Sequence, residues 1–297
     1  MSEYNIDNYD EIEKENGGND IEKALIDFES KEKNKKKNLM IINTIILAVL
    51  LVAGVIVLII IDNNDDDDDD DEDNENKDEM PIIIEPIEKY SYCLIFIHGL
   101  NDNPEHFQKY FENIHFSKKN ETKLIFLRAP KIDVTYKNLK GVTSWFDIYN
   151  IPIISASCYN FEDAKMSENK IKKIILDEVK LLNGNYNKII IAGHSQGGCL
   201  ALYLGYSEDF LLGGVISLNG ALFEETIIGK KKDSLNTLLL HGEKDVQLPI
   251  SYHNKTIERI SNFSGIEKFY DSEEDHFIDG NEKFIFKIEE FLNRILE

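Results

Sequence analysis

Ser195 stands in the run Gly193-His194-Ser195-Gln196-Gly197, between the apolar stretch Ile189-Ile190-Ile191-Ala192 and a second apolar run from Cys199 to Leu204. The pattern reads as a buried strand, a sharp turn and a helix, the arrangement that lifts a serine hydroxyl above a sheet as a nucleophile. Glycines two residues to either side are what such a turn needs, because side chains there would collide. A serine nucleophile also requires a general base, an acid to orient that base, and donors for the developing oxyanion. After a strand-turn-helix serine, the acid and then the histidine follow in the chain. Of the seven histidines, His253 and His276 lie far enough beyond Ser195 to follow an intervening acid. His253 falls inside a predicted helix, Ser251 to Asn262, whereas His276 lies in an acidic loop after a strand ending at Tyr270. His276 is therefore the candidate base.

The acid is expected in the loop after the strand Thr237 to Leu240, which reads His241-Gly242-Glu243-Lys244-Asp245. Asp245 is the choice there. Glu243 lies close to the strand end and reads as a solvated turn residue, while Asp271 and Asp275 are too near the base in sequence to point along its ring. The oxyanion donors are expected to be the backbone N–H of Gln196 and that of Leu100, in the loop His98-Gly99-Leu100-Asn101-Asp102 after the strand Tyr92 to Ile97. His98 fits a loop-bracing role better than that of a second base.

Short apolar strands alternating with helices predict a mainly parallel α/β sheet from residue 82 onward. Beyond those already named, the strands are Lys123 to Leu127, Lys188 to Ala192, Gly214 to Leu218 and Glu267 to Tyr270. The helices are Glu105 to Ile114, Glu168 to Leu182, Gln196 to Tyr206, Ser251 to Asn262 and Glu282 to Leu296. Their loops at the strands' carboxyl ends would carry every candidate catalytic group.

The charge is distributed unevenly. Residues 62–79 carry −12 and residues 1–38 carry −4, leaving −6 of the total −22 for residues 80–297. The folded part is only mildly acidic, so the low pI of about 4.7 does not argue for a cationic substrate, and no basic patch suggests nucleic acid. Leu39 to Ile61 is apolar except for Asn43 and Thr44. At about 1.5 Å per residue it reaches roughly 34 Å, enough for a hydrocarbon layer of about 30 Å. Lys31, Lys33, Lys35, Lys36 and Lys37 precede it and Asp62 follows it. The positive-inside rule thus predicts a cytosolic N-terminus and a luminal or exterior domain.

The expected organisation is a disordered cytosolic tail (1–38), a transmembrane helix (39–61), an acidic disordered linker (62–80) and a catalytic domain (81–297). Sequons at Asn120, Asn254 and Asn262 suit a luminal domain, although chance alone yields roughly two, so three decide little. Cys93, Cys158 and Cys199 form no disulfide framework and no zinc-type spacing.

The loop 98–102, Ala129-Pro130, Ser144-Trp145-Phe146-Asp147, the serine turn, and His241-Gly242 with Asp245 together resemble the acyl-protein thioesterase and carboxylesterase family of α/β-hydrolases, over roughly residues 90–296. The resemblance implies hydrolysis of acyl esters or thioesters, with S-acylated proteins and lysophospholipids as substrates and no metal or other cofactor. Three positions depart from the family: Asn101 for glycine, Thr143 for proline and His194 for phenylalanine. None removes a catalytic group. Trp145 and Ile153 are candidate substrate contacts. The segment Ile151-Pro152-Ile153-Ile154 reads equally as an acyl-binding flap or as core packing.

Other functional classes stay open at this level. A luminal domain would favour carboxylic esters or lysolipids, whereas protein depalmitoylation calls for a cytosolic one. A membrane-tethered binding module on a hydrolase fold is the non-enzyme reading.

Overall fold

The computed structural model describes residues 80–278 and 280–296. The tail 1–38, the apolar segment 39–61 and residues 62–79 of the acidic linker lie outside the described residues. Among the described residues, no helix is long and apolar enough to cross a membrane.

In chain order the elements are β1 (Ile82–Ile84), β2 (Tyr92–Ile97), α1 (Pro104–Glu112), β3 (Thr122–Leu127), β4 (Lys131–Val134), β5 (Leu139–Thr143) and α2 (Phe161–Leu181). They continue with β6 (Ile189–His194), α3 (Gln196–Ser207), β7 (Gly214–Leu218), β8 (Thr237–Gly242), α4 (Ile250–Ile260), β9 (Ile266–Asp271) and α5 (Glu282–Ile295). A seven-stranded sheet runs β1-β3-β2-β6-β7-β8-β9. β1 pairs antiparallel with β3 at one edge, and all the other neighbours are parallel. This is the mainly parallel α/β sheet that the strand and helix alternation implies, and it agrees with the α/β-hydrolase fold that the resemblance implies.

Side chains alternate between the two faces of each strand, and both faces are covered. On one face, Cys93, Ile95 and Ile97 of β2 join a core with Ile171 and Ile175 of α2, Leu200 and Leu204 of α3, and Tyr252 of α4. On the other, Leu94 and Phe96 pack with Phe107 and Phe111 of α1 and Phe284, Ile288 and Phe291 of α5. Phe96 stacks on Phe107 with ring centroids 4.3 Å apart. Burying one such side chain contributes about 1.5–3 kcal/mol, so these continuous apolar strands fix the sheet's place between two helical layers.

Asparagines start three of the helices. Asn103 accepts from the His106 N–H at 2.9 Å, with Pro104 opening α1. Asn281 accepts from the Phe284 N–H at 3.0 Å to open α5. Asn160 accepts from the N–H groups of Glu162 and Asp163, so α2 begins seven residues before the predicted Glu168. Its first turns are too polar to show helical periodicity. The short edge strand β1 and the separate hairpin β4–β5 also lie outside the predicted strands, because the hairpin is largely exposed and carries no apolar run. The three cysteines are free and buried.

Candidate active site

The four loops that carry the candidate groups leave the carboxyl ends of β2, β6, β8 and β9, strands of one sheet in which β7 separates β6 from β8. Ser195 follows β6 directly with φ 55° and ψ −118°, a conformation outside the usual range of a residue with a Cβ. The turn tolerates it because its flanks are bare. A Cβ on Gly193 would lie 2.2 Å from the Gly197 carbonyl oxygen, and one on Gly197 would lie 1.9 Å from the Ile97 carbonyl oxygen. Helix α3 is thereby drawn against β2, next to the loop that holds Leu100.

The Ser195 hydroxyl is 2.7 Å from His276 Nε2, and His276 Nδ1 is 2.7 Å from Asp245 Oδ2. Nδ1 carries the proton toward the carboxylate, which leaves Nε2 to accept from the hydroxyl. The other Asp245 oxygen accepts from the N–H groups of Gln247 and Leu248, each at 2.8 Å. Burial would raise the Asp245 pKa, but the His276 hydrogen bond, the charge interaction with that ring and the Leu248 amide together hold it below the usual carboxylate value.

The rival acids face elsewhere. Asp271 is ion-paired with Lys283 at 2.9 Å, Asp275 accepts from the Phe277 N–H, and Glu243 is exposed. His253 is fully buried in α4, where its Nδ1–H donates to the Gly220 carbonyl at 2.8 Å and its ring lies 4.4 Å from that of His241. It is a packed histidine.

Leu100 and Gln196 flank Ser195. Gln196 is the first residue of α3, where a backbone N–H has no partner within the helix. The loop of Leu100 comes so close that a Cβ on Gly99 would sit 3.2 Å from the Ser195 Cβ. His98 braces this loop: its Nδ1–H donates to the Gly99 carbonyl at 2.7 Å, and its Nε2 accepts from the Ala129 N–H at 3.1 Å.

A cleft of about 880 Å³, counted to its open mouth, lies over Ser195 and His276. Phe146, Ile148, Ile151, Ile153, Phe223 and Tyr252 make much of its wall apolar, while Asp102 and His106 line it as well. Ile151 and Ile153 thus form cleft wall, and the Ile153 N–H donates to the Gln247 carbonyl at 2.8 Å, which ties the segment to the loop of Asp245. Both isoleucines also pack against the core beneath the cleft, so the segment lines the cleft and covers the core at once.

Trp145 is a correction. It is not part of the cleft wall; its indole is buried and its Nε1–H donates to the His98 carbonyl at 2.8 Å. The neighbouring backbone grips Gln196, whose Oε1 accepts from the Trp145 N–H at 3.1 Å and whose Nε2 donates to the Phe146 carbonyl at 2.9 Å. The Ser-Trp-Phe-Asp run therefore fastens the Leu100 loop to the start of α3, and Phe146 is the member of it that lines the cleft.

Two residues to which the sequence assigns no role in the site hold the base. Asn219, just past β7 with φ 49°, donates to the carbonyls of Asp275 (3.1 Å) and His276 (3.0 Å) and accepts from the Gly242 N–H at 2.8 Å. His194 makes the second hold, with its Nε2 2.8 Å from the His276 carbonyl oxygen. The dipeptide Asn219-Gly220 after an apolar strand is the turn signal that marks the first of them.

Among the described residues, no group of three or more His, Cys, Asp or Glu side chains could hold a metal ion.

Comparison with known proteins agrees with this geometry. A family model described as Phospholipase/Carboxylesterase matches residues 78–296. "Acyl-protein thioesterase 1 homolog 1" of Dictyostelium discoideum is 31% identical over 171 residues, which are 55% of this chain and 73% of that protein. "Acyl-protein thioesterase 1" of Gibberella zeae is 27% identical over 180 residues, 57% of this chain and 76% of that one. Among solved structures, Arabidopsis thaliana SOBER1 superposes with a TM-score of 0.62 at 21% identity, covering 70% of this chain and 100% of its own. Zea mays acyl-protein thioesterase 2 does so with a TM-score of 0.57 at 17% identity, covering 73% and 99%. With a nucleophile turn, a base and an acid already joined at the end of its sheet, the chain belongs to the phospholipase/carboxylesterase family of α/β-hydrolases.

Proposed function

We propose that the chain is a serine hydrolase that cleaves acyl thioesters or carboxylic esters, with Ser195 as nucleophile, His276 as general base and Asp245 as the acid that orients it. The observation that carries this is the unbroken chain of two 2.7 Å contacts from the Ser195 hydroxyl through the His276 ring to the Asp245 carboxylate. His276 Nε2 takes the hydroxyl proton as Oγ attacks the acyl carbon, and the imidazolium formed is stabilised by Asp245. The backbone N–H groups of Leu100 and Gln196 hold the oxyanion, a role in which one donor is worth about 10²–10³ in rate. His276 then protonates the departing thiol or alcohol. A water molecule, deprotonated by the same ring, releases the acid and restores Ser195.

The apolar cleft wall suits an aliphatic acyl chain, with Ile153 as a substrate contact. S-acylated proteins are the substrate class that the relatives' names support, and phospholipid and carboxylic esters that of the family description; lysophospholipids are the lipid esters that the resemblance suggests.

The membrane reading is part of the proposal. Residues 39–61 form a transmembrane helix, residues 62–80 a solvated acidic linker, and the basic cluster before Leu39 keeps the N-terminus cytosolic. The three sequon asparagines, Asn120, Asn254 and Asn262, are exposed and open to glycosylation in a luminal domain. A luminal or exterior site would meet lysolipids and carboxylic esters more readily than cytosolic S-acyl cysteines.

Two measurements test these statements. Hydrolysis rates on p-nitrophenyl esters and acyl thioesters of graded chain length should rise with acyl length; no hydrolysis of either series contradicts the enzyme reading. Protease treatment of sealed vesicles should leave the domain intact. Its digestion would favour a cytosolic domain and depalmitoylation.

A further inference from the structure

His194 occupies the position next to the nucleophile, at the end of β6, where the family resemblance leads one to expect phenylalanine. Its side chain is nearly fully buried and is used in an unusual way. Nε2 lies 2.8 Å from the carbonyl oxygen of His276, so Nε2 must carry the ring proton and donate it. Nδ1 is then an acceptor, and it is buried with no hydrogen-bond partner. Burial, with the His276 ring 5.2 Å away, lowers the His194 pKa to about 4, so at neutral pH the ring is uncharged and this tautomer persists.

The buried, unpaired Nδ1 is a destabilising feature. Phenylalanine would fill the same space, keep the ring contact with Phe107 at 5.7 Å, and leave no polar atom orphaned. What it could not do is donate to the His276 carbonyl. That carbonyl has two lone pairs, and the Asn219 amide, at 3.0 Å, occupies the second. The loop carrying the base is thus held from two sides, by the strand that carries the nucleophile and by the strand beside it.

We infer that His194 is a positioning residue, which registers the His276 backbone to the Ser195 turn and so sets the 2.7 Å approach of Nε2 to Oγ. The inference rests on the serine-hydrolase reading above. Asn219 keeps the loop attached when His194 is replaced, so the expected consequence is a slightly displaced base in a folded protein. A misplacement of about 1 Å costs roughly 100-fold in rate.

The test compares the full-length protein with His194→Phe and His194→Gln. For His194→Phe, kcat should fall by about 10- to 100-fold with KM within about twofold, while the thermal midpoint stays equal or rises. His194→Gln, whose amide can donate again, should recover most of the lost kcat. A kcat for His194→Phe equal to wild type overturns the inference, as does a fall in kcat that accompanies a lower midpoint and is not restored by glutamine. The far-downfield proton resonance of His276 Nδ1–H gives a readout independent of any substrate. It should shift or broaden in His194→Phe, and an unchanged resonance is again contrary. Should wild type hydrolyse no ester or thioester, the hydrolase reading fails while this resonance still decides whether His194 sets the base.

Discussion

Acidification should destabilise this fold through histidines buried without charge. Burial lowers the pKa of His194 to about 4, of His241 to about 3 and of His253 to about 4; the neighbouring His276 and His253 add to the effect for His194 and His241 respectively. Unfolded, each would titrate near 6.5. Between the two values the unfolded chain binds protons that the folded chain refuses, so the stability from these groups is present above about pH 6.5 and is lost as pH falls toward 4. At pH 5 each histidine costs about 2 kcal/mol, roughly 6 kcal/mol for the three.

Glu168 acts in the opposite sense. Its burial, with Glu208 beside it, raises its pKa to about 7, so it stabilises the fold at low pH and loses that contribution as pH rises through 7. Lowering the pH from 7.5 to 5 therefore returns part of the histidine loss, and the net loss remains on the order of 4 kcal/mol out of a typical total of 5–15. Urea titrations of the purified protein at the two pH values measure this directly. With a slope of about 2–3 kcal/mol per molar, the midpoint should drop by roughly 1.5 M at pH 5. An equal or higher midpoint at pH 5 would refute the reasoning that these rings are buried neutral.

Two further substitutions probe the site. Gly197→Ala places a methyl 1.9 Å from the Ile97 carbonyl oxygen, a backbone atom that cannot yield, so it should cost about 3 kcal/mol or more and lower the melting temperature sharply; a wild-type melt would show that the turn does not need glycine. Ile153→Asp puts a carboxylate into the apolar cleft wall and should raise KM for long-chain esters by about tenfold or more while leaving acetyl esters nearly unchanged, whereas an equal effect on both would remove Ile153 from the acyl path.

What the sequence makes legible follows from how local each signal is. Strands β2, β6, β7 and β8 are buried on both faces, so each is a continuous apolar run whose end can be read, and the loops carrying Leu100, Ser195 and Asp245 follow from those ends. Helix α4 places His253 within a helical pattern and so leaves His276 as the base. The supports of the site are not legible in this way, because they join residues far apart in the chain. Trp145 reaches the carbonyl of His98 across 47 positions, and Asn219 reaches that of His276 across 57. A rare aromatic in a family motif invites a substrate-binding role, and only the fold shows that its indole points inward. The β4–β5 hairpin carries too little buried surface to leave a periodic pattern.

The central claim is that Ser195 is the nucleophile, made reactive by His276. Treating the purified protein with a fluorophosphonate and mapping the adduct by mass spectrometry tests it most directly. One adduct per chain on Ser195 is expected, with no labelling and a loss of about 10⁴-fold or more in ester hydrolysis for Ser195→Ala. Labelling of Ser195→Ala at the wild-type rate, or an adduct on another residue of the wild type, would contradict the account.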